Sequence, residues 1–184
     1  MAMPTRHAIY FALLIAVLGG TAIFGLREIT KNSGQGVTVE AVVYPLKLVM
    51  SLNKTTYMLG ETVTINLQLI NISNSTVTLW FVTCALPGGW LRFNVYHASK
   101  GDLGSACSFY EPQAPMEVTL DPGSFLGQTW EWDQKVGIPT MGIDFHSVGA
   151  GNYNIIGFLE DLNTLNGSYI KMNLETPPIQ ISIG

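Results

Sequence analysis

The chain has 184 residues, 12% of them charged, and a formal net charge of −4. From Val37 onward six basic residues face twelve acidic ones, a formal −6 with no basic cluster, which excludes a nucleic-acid-binding footprint. Two cysteines are too few for a disulfide scaffold or a four-cysteine zinc site, and the length suits one domain behind an N-terminal segment.

Ala8 to Leu26 is a run of 19 residues without a charge, set between Arg6-His7 and Arg27-Glu28. As a helix it would span about 28 Å, close to the ~30 Å hydrocarbon core of a bilayer. A cleaved signal peptide has a shorter apolar core and a small-x-small site. The long core here, with no Ala-x-Ala before Leu26, favours an uncleaved signal-anchor helix over residues 1–29. Cleavage would instead make the protein secreted. A pilin-type leader is a third reading, for which Arg6-His7-Ala8 is a poor cleavage site. An inserted anchor implies a single-pass cell-membrane protein with its domain extracytoplasmic. Four glycosylation sequons, at Asn53, Asn71, Asn74 and Asn166, suit that side of the membrane.

Residues 30–36 are a polar, Gly-containing linker, and residues 37–184 form the domain. Val37 to Leu52 reads as extended chain broken by Pro45. Proline cannot donate to a ladder, so this is an edge strand or one that breaks and switches sheets. Tyr57-Met58-Leu59-Gly60 is a turn. From Glu61 to Asn71, Val63, Ile65, Leu67 and Leu69 alternate with polar residues, and Val77, Leu79 and Phe81 repeat the pattern after the polar break Asn71–Ser75. A period of two marks half-buried strands, and the short break predicts that the two pair as a hairpin.

Pro87-Gly88-Gly89 is a turn. Leu91, Phe93 and Val95 share a strand face, with His97 at its end. Lys100 to Pro115 reads as irregular, and Met116 to Leu120 as a short strand. Asp121-Pro122-Gly123-Ser124 is a strong turn signal. Leu126, Gln128, Trp130 and Trp132 share the next inward face. Gly137 to Gly149 reads as irregular. Tyr153, Ile155, Gly157 and Leu159 share one face, and two last segments, Ser168–Leu174 and Ile179–Ile183, flank Pro177-Pro178. Seven to nine short strands, with no helical pattern after residue 30, predict an all-β fold: an immunoglobulin-like antiparallel β-sandwich preceded by one N-terminal transmembrane or signal helix.

The motif Tyr57-x-x-Gly60-Glu61-x-Val63, with Leu67, Asn71, Ser73, Val77, Leu79 and Phe81, resembles the opening of the intracellular proteinase inhibitor (BsuPI) domain. Phe93-x-Val95-Tyr96 is similar to its third strand. Leu120-Asp121-Pro122-Gly123 with Trp130, and Gly151-x-Tyr153 with Gly157 and Leu159, are similar to its later turn and closing strand. The resemblance runs roughly from Tyr57 to Leu159. It implies an immunoglobulin-like sandwich used for protein contact, with no catalytic centre. The membrane segment and the longer loops at Lys100–Pro115 and Val136–Ser147 depart from the family, and no inhibitory residue carries over.

Cys84 and Cys107 permit one disulfide, which in an oxidising compartment would add roughly 3 kcal/mol; two separate buried thiols are the alternative. His97, His146, the cysteines and Met116 include blue-copper ligand types, yet no His follows either Cys closely, so no metal is expected. Asp144-Phe145-His146-Ser147 lacks a nucleophile elbow. Asp121, Asp133 and Asp144 lack EF-hand spacing and read as solvated turn carboxylates. No catalytic residue and no cofactor is expected. Trp80 has the outward parity of Thr78, so it is either a protein contact or cover for the long loops.

The expected function is a non-catalytic extracytoplasmic protein-interaction module, tethered to or secreted across the membrane, with protein partners in the cell envelope or itself. One alternative is a structural subunit of a filament or surface layer, assembled pilin-like or by donating Val37–Leu52 to a neighbour's sheet. Another is an accessory subunit of a larger membrane complex.

Overall fold

The computed structural model describes residues 36–81, 91–99, 101–105, 116–137, 145–164 and 172–184. All regular structure in these residues is strand. The chain runs β1 (Val37–Val43), β2 (Leu46–Leu52), β3 (Thr56–Tyr57), β4 (Val63–Asn71), β5 (Val77–Phe81), β6 (Arg92–His97) and β7 (Gly101–Ser105). It continues with β8 (Met116–Leu120), β9 (Phe125–Trp132), β10 (Lys135–Gly137), β11 (Phe145–Ser147), β12 (Gly151–Thr164), β13 (Met172–Glu175) and β14 (Ile179–Ile183).

One sheet has the order β1-β2-β4-β9, antiparallel throughout. The second is built on the long strand β12. On one side β12 pairs with β13 and β14, and β3 joins β14 in parallel. On the other it pairs with β6, which carries β7. At its far end, Asn163 and Thr164 meet β5, which pairs with β8. β10 and β11 form a separate short ribbon.

Period-two alternation decides what lies between the sheets. Leu46, Leu48, Met50 and Leu52 of β2 and Val63, Ile65, Leu67 and Leu69 of β4 are buried. Across from them lie Phe93, Val95, Tyr153, Ile155 and Leu159, all in the same core. The first sheet packs close over Gly157, where an added Cβ would stand 2.5 Å from Leu67 Cδ2 and 3.2 Å from Met50 Sδ. Phe93 packs edge-on against Trp130 and Trp132, with ring centroids 6.0 and 6.3 Å apart. The inward faces predicted for β6, β9 and β12 are the observed ones.

Three expectations need correction. β4 and β5 are strands, but they are not a hairpin: β4 lies in the first sheet and β5 in the second. Alternation names the buried face of a strand and is silent about its partner. Val37–Leu52 is two strands of one sheet, with Pro45 in the tight turn between them, where its missing N–H costs no ladder bond. The strand elements number fourteen among the described residues, against seven to nine expected. The excess is short pieces such as β3, β7, β10 and β11, too brief for a period to register. The predicted N-terminal helix lies outside the described residues.

Candidate interaction surface

The chain passes from the first sheet to the second through Asn71–Thr76, and the side chain of Asn71 holds the crossing. Its Nδ2 donates to the Ser75 carbonyl at 2.8 Å and to the Leu120 carbonyl at 2.9 Å. Its Oδ1 accepts from the Ser73 backbone N–H at 2.9 Å and from the Ser73 hydroxyl at 2.8 Å. The Asn71 backbone N–H donates to Ser124, and its carbonyl accepts from Gly123. Asn71 is fully buried with both Nδ2 hydrogens spent. A glycan on that nitrogen would replace one of the two hydrogens, break the bond it makes and end the burial, so the Asn71 side chain serves the turn in this fold. Short polar residues that mimic backbone turns are what such a crossing requires.

Around this arch three large apolar side chains are exposed: Tyr44 at 72%, Phe125 at 59% and Ile72 at 40%. Tyr44 lies in the β1–β2 turn, Ile72 follows β4, and Phe125 opens β9, so all three belong to one end of the first sheet. With strands about 4.8 Å apart, that places them within roughly 12 Å of one another. The backbone under them is tied down. The Ile72 N–H donates to the Pro45 carbonyl at 2.9 Å, and the Ser124 N–H donates to Asp121 at 3.0 Å, closing the turn in which Gly123 takes φ 74°. Gly127 leaves room beside the Phe125 ring, 3.4 Å from where a Cβ would stand. A hydrogen-bonded apolar fringe of this kind is suited to protein contact.

A cleft of about 370 Å³ opens at the edge strand β9, lined by Phe93, Trp130, Trp132, Phe145 and the charged Glu131, Asp133 and Lys135. Its polar groups are largely committed. The Trp130 and Trp132 indoles donate to the Leu91 and Lys135 carbonyls at 2.8 and 2.7 Å, and Lys135 pairs with Asp133 at 2.6 Å. That pairing holds the Asp133 carboxyl below its ordinary range. Among the described residues no three His, Cys, Asp or Glu side chains group to hold a metal ion.

Of the residues singled out from sequence, Asn53 and Asn74 are exposed. Asn53 Oδ1 accepts from the Tyr57 hydroxyl at 2.9 Å. The strand β5 sets the Trp80 backbone between Glu117 and Asn163; its side chain, like Cys84, Cys107 and Asn166, lies outside the described residues. The apolar fringe itself was missed by sequence reading. Tyr44 and Ile72 sit in loops where a single apolar residue carries no period, and only the fold brings them to one end.

No family model matches the chain, and no curated protein matches it. Among solved structures it is similar to a β-glucosidase from Listeria innocua in complex with isofagomine, at 14% identity and a TM-score of 0.41, over 78% of this chain and 17% of that one. It is similar to the β-glucosidase EmGH1 from Erythrobacter marinus at 11% identity and a TM-score of 0.40, over 78% and 16%. It is also similar to PapD-like domain 7 of human CEP192 at 15% identity and a TM-score of 0.32, over 90% and 96%. The chain thus matches about a sixth of the length of either β-glucosidase. Likenesses this distant carry nothing about activity, substrate or partner.

Proposed function

We propose that this chain is an extracytoplasmic protein-interaction module with an immunoglobulin-like β-sandwich, similar to BsuPI-like domains and held at the membrane by its N-terminal segment. The observation that carries the reading is the exposed trio Tyr44, Ile72 and Phe125 on hydrogen-bonded turns at one end of the sheet. Monomeric proteins rarely group large apolar side chains on rigid surface without a contact to make. The acidic domain and the uncharged run Ala8–Leu26 support the compartment and the tether. The module uses its partner's apolar surface, with aromatic Tyr44 and Phe125 as anchors.

The test is co-purification from solubilised native membranes after crosslinking. The full chain should bring down a defined partner, and Y44S/F125S should lose it while unfolding at an unchanged denaturant midpoint. Equal recovery by both chains would end this reading of the fringe. Recovery of the chain alone, crosslinked to itself in ladders, would favour the filament alternative. Both halves of Val37–Leu52, the segment that alternative could donate, pair within the chain's own first sheet.

A further inference from the structure

The first sheet has exposed apolar side chains at its opposite end too, and what lies beside them is different. Met58 and Leu59 are 71% and 58% exposed. The register fixes their place. Gly36 leads into β1, Val37 pairs with Leu52, Leu52 with Ile65, and Ile65 with Trp130. Two residues beyond Trp132, Gln134 donates to the Met58 carbonyl at 2.8 Å and accepts from the Gly60 N–H at 2.7 Å. The Met58–Leu59 turn therefore sits at the end where the chain enters the domain. Tyr44, Ile72 and Phe125 stand at the other end of the strands, about 20 Å away.

The turn keeps its polar groups inward. The Glu61 N–H donates to Met58 O at 3.0 Å, the Leu59 N–H to Gly184 O at 3.0 Å, and the Met58 N–H to Glu61 Oε2 at 2.9 Å. Gly60 takes φ 80° to close it. The lysines nearby are paired, Lys54 with Glu61 and Lys135 with Asp133. What the turn offers outward is a thioether and an isobutyl group. The uncharged run Ala8–Leu26 ends ten residues before Gly36, a stretch that reaches at most about 35 Å. The tether, if Ala8–Leu26 is one, joins the domain at this end, beside the Met58–Leu59 turn.

We infer that the Met58–Leu59 turn seats on the lipid bilayer that holds the N-terminal segment, inserting both side chains at the acyl boundary; the inference rests on Ala8–Leu26 being a membrane anchor. Met and Leu on a rigid turn gain apolar burial at such an interface. Because the neighbouring lysines are already paired, the contact depends on hydrocarbon rather than on lipid charge. Seating this end leaves the Tyr44–Phe125 end facing away from the membrane.

The test is hydroxyl-radical footprinting of the full chain in phosphatidylcholine vesicles and in short-chain detergent, read by peptide mass. Met58 and Leu59 should label about fivefold less in vesicles than in detergent, with Tyr44 and Phe125 unchanged. Phosphatidylglycerol vesicles should give the same footprint. Equal labelling of Met58 in vesicles and detergent would overturn the inference, and so would protection of Tyr44 and Phe125 instead. Alkaline carbonate extraction separates the two readings: a chain that stays with the vesicles but shows no Met58 protection loses only the seating, whereas a chain that is extracted loses the anchor and the seating together. A glycan found on Asn53, at this same end, would also overturn the seating, since it would hold the turn off the lipid.

Discussion

Asn71 and Leu120, 49 positions apart, are joined by a hydrogen bond from the Asn71 Nδ2 to the Leu120 carbonyl at 2.9 Å. Asn71 ends a strand of one sheet and Leu120 ends a strand of the other. One buried amide therefore ties the two layers where the chain crosses between them. Asn71→Ala takes this partner from the Leu120 carbonyl and the Ser73 N–H, while the Ser75 carbonyl keeps the Ser73 hydroxyl, and should cost about 2–4 kcal/mol. Ser73→Ala should cost about 1 kcal/mol. Urea unfolding of the full chain in detergent, followed by tryptophan fluorescence, measures both. A loss below that of Ser73→Ala would show that Asn71 does not hold the crossing.

Gly157 leaves no room for a side chain between the sheets. Gly157→Ala forces its methyl against Leu67 Cδ2, 2.5 Å away, and Met50 Sδ, 3.2 Å away. Overpacking of this kind costs about 1–3 kcal/mol. Leu67→Val alone is also destabilising, but in G157A/L67V it should return part of the loss, a non-additive pair in a double-mutant cycle. Additive losses would place the strain elsewhere.

Gln134 is buried, takes φ 60°, and bonds Gly60 N, Met58 O and Glu61 O. Gln134→Ala takes this partner from the Gly60 N–H and the Glu61 carbonyl, while the Met58 carbonyl keeps the Glu61 N–H, and should cost about 2–3 kcal/mol. Native-state hydrogen exchange should then speed up at Gly60 and Glu61 first, because their turn has lost its clasp. Uniform acceleration across β4 would contradict a local role.

The carboxyl of Glu61 is held below its ordinary range, first by the hydrogen bond from Lys54 and then by the Met58 N–H. A carboxylate depressed on folding contributes stability that is fully present above its unfolded pKa and is lost as pH falls through the folded value. The Met58–Glu61 turn should therefore stay closed at neutral pH and loosen only in acid, below the ordinary glutamate range. NMR titration of the Glu61 side chain should show the lowered midpoint, and Glu61→Gln should remove that part of the acid dependence.

Alternation alone identified the inward faces of β4, β6, β9 and β12, because successive side chains in a strand point to opposite faces. Turn chemistry located Asp121–Ser124 and Tyr57–Gly60, because proline and glycine restrict the backbone locally. The partner of each strand was beyond reach. β4 and β5 are joined by five residues that look like a hairpin loop, and the tertiary structure sends them to different sheets because Asn71 finds Leu120 and the 121–124 turn instead of closing on β5. The Asn71 sequon is legible as a motif, but its burial is a property of that crossing. Tyr44 and Ile72, and at the opposite end Met58 and Leu59, are apolar residues in turns with no period to mark them, and Phe125 opens β9 on its outward face. They become two surfaces only when strand order and register bring distant turns to the same ends of one sheet.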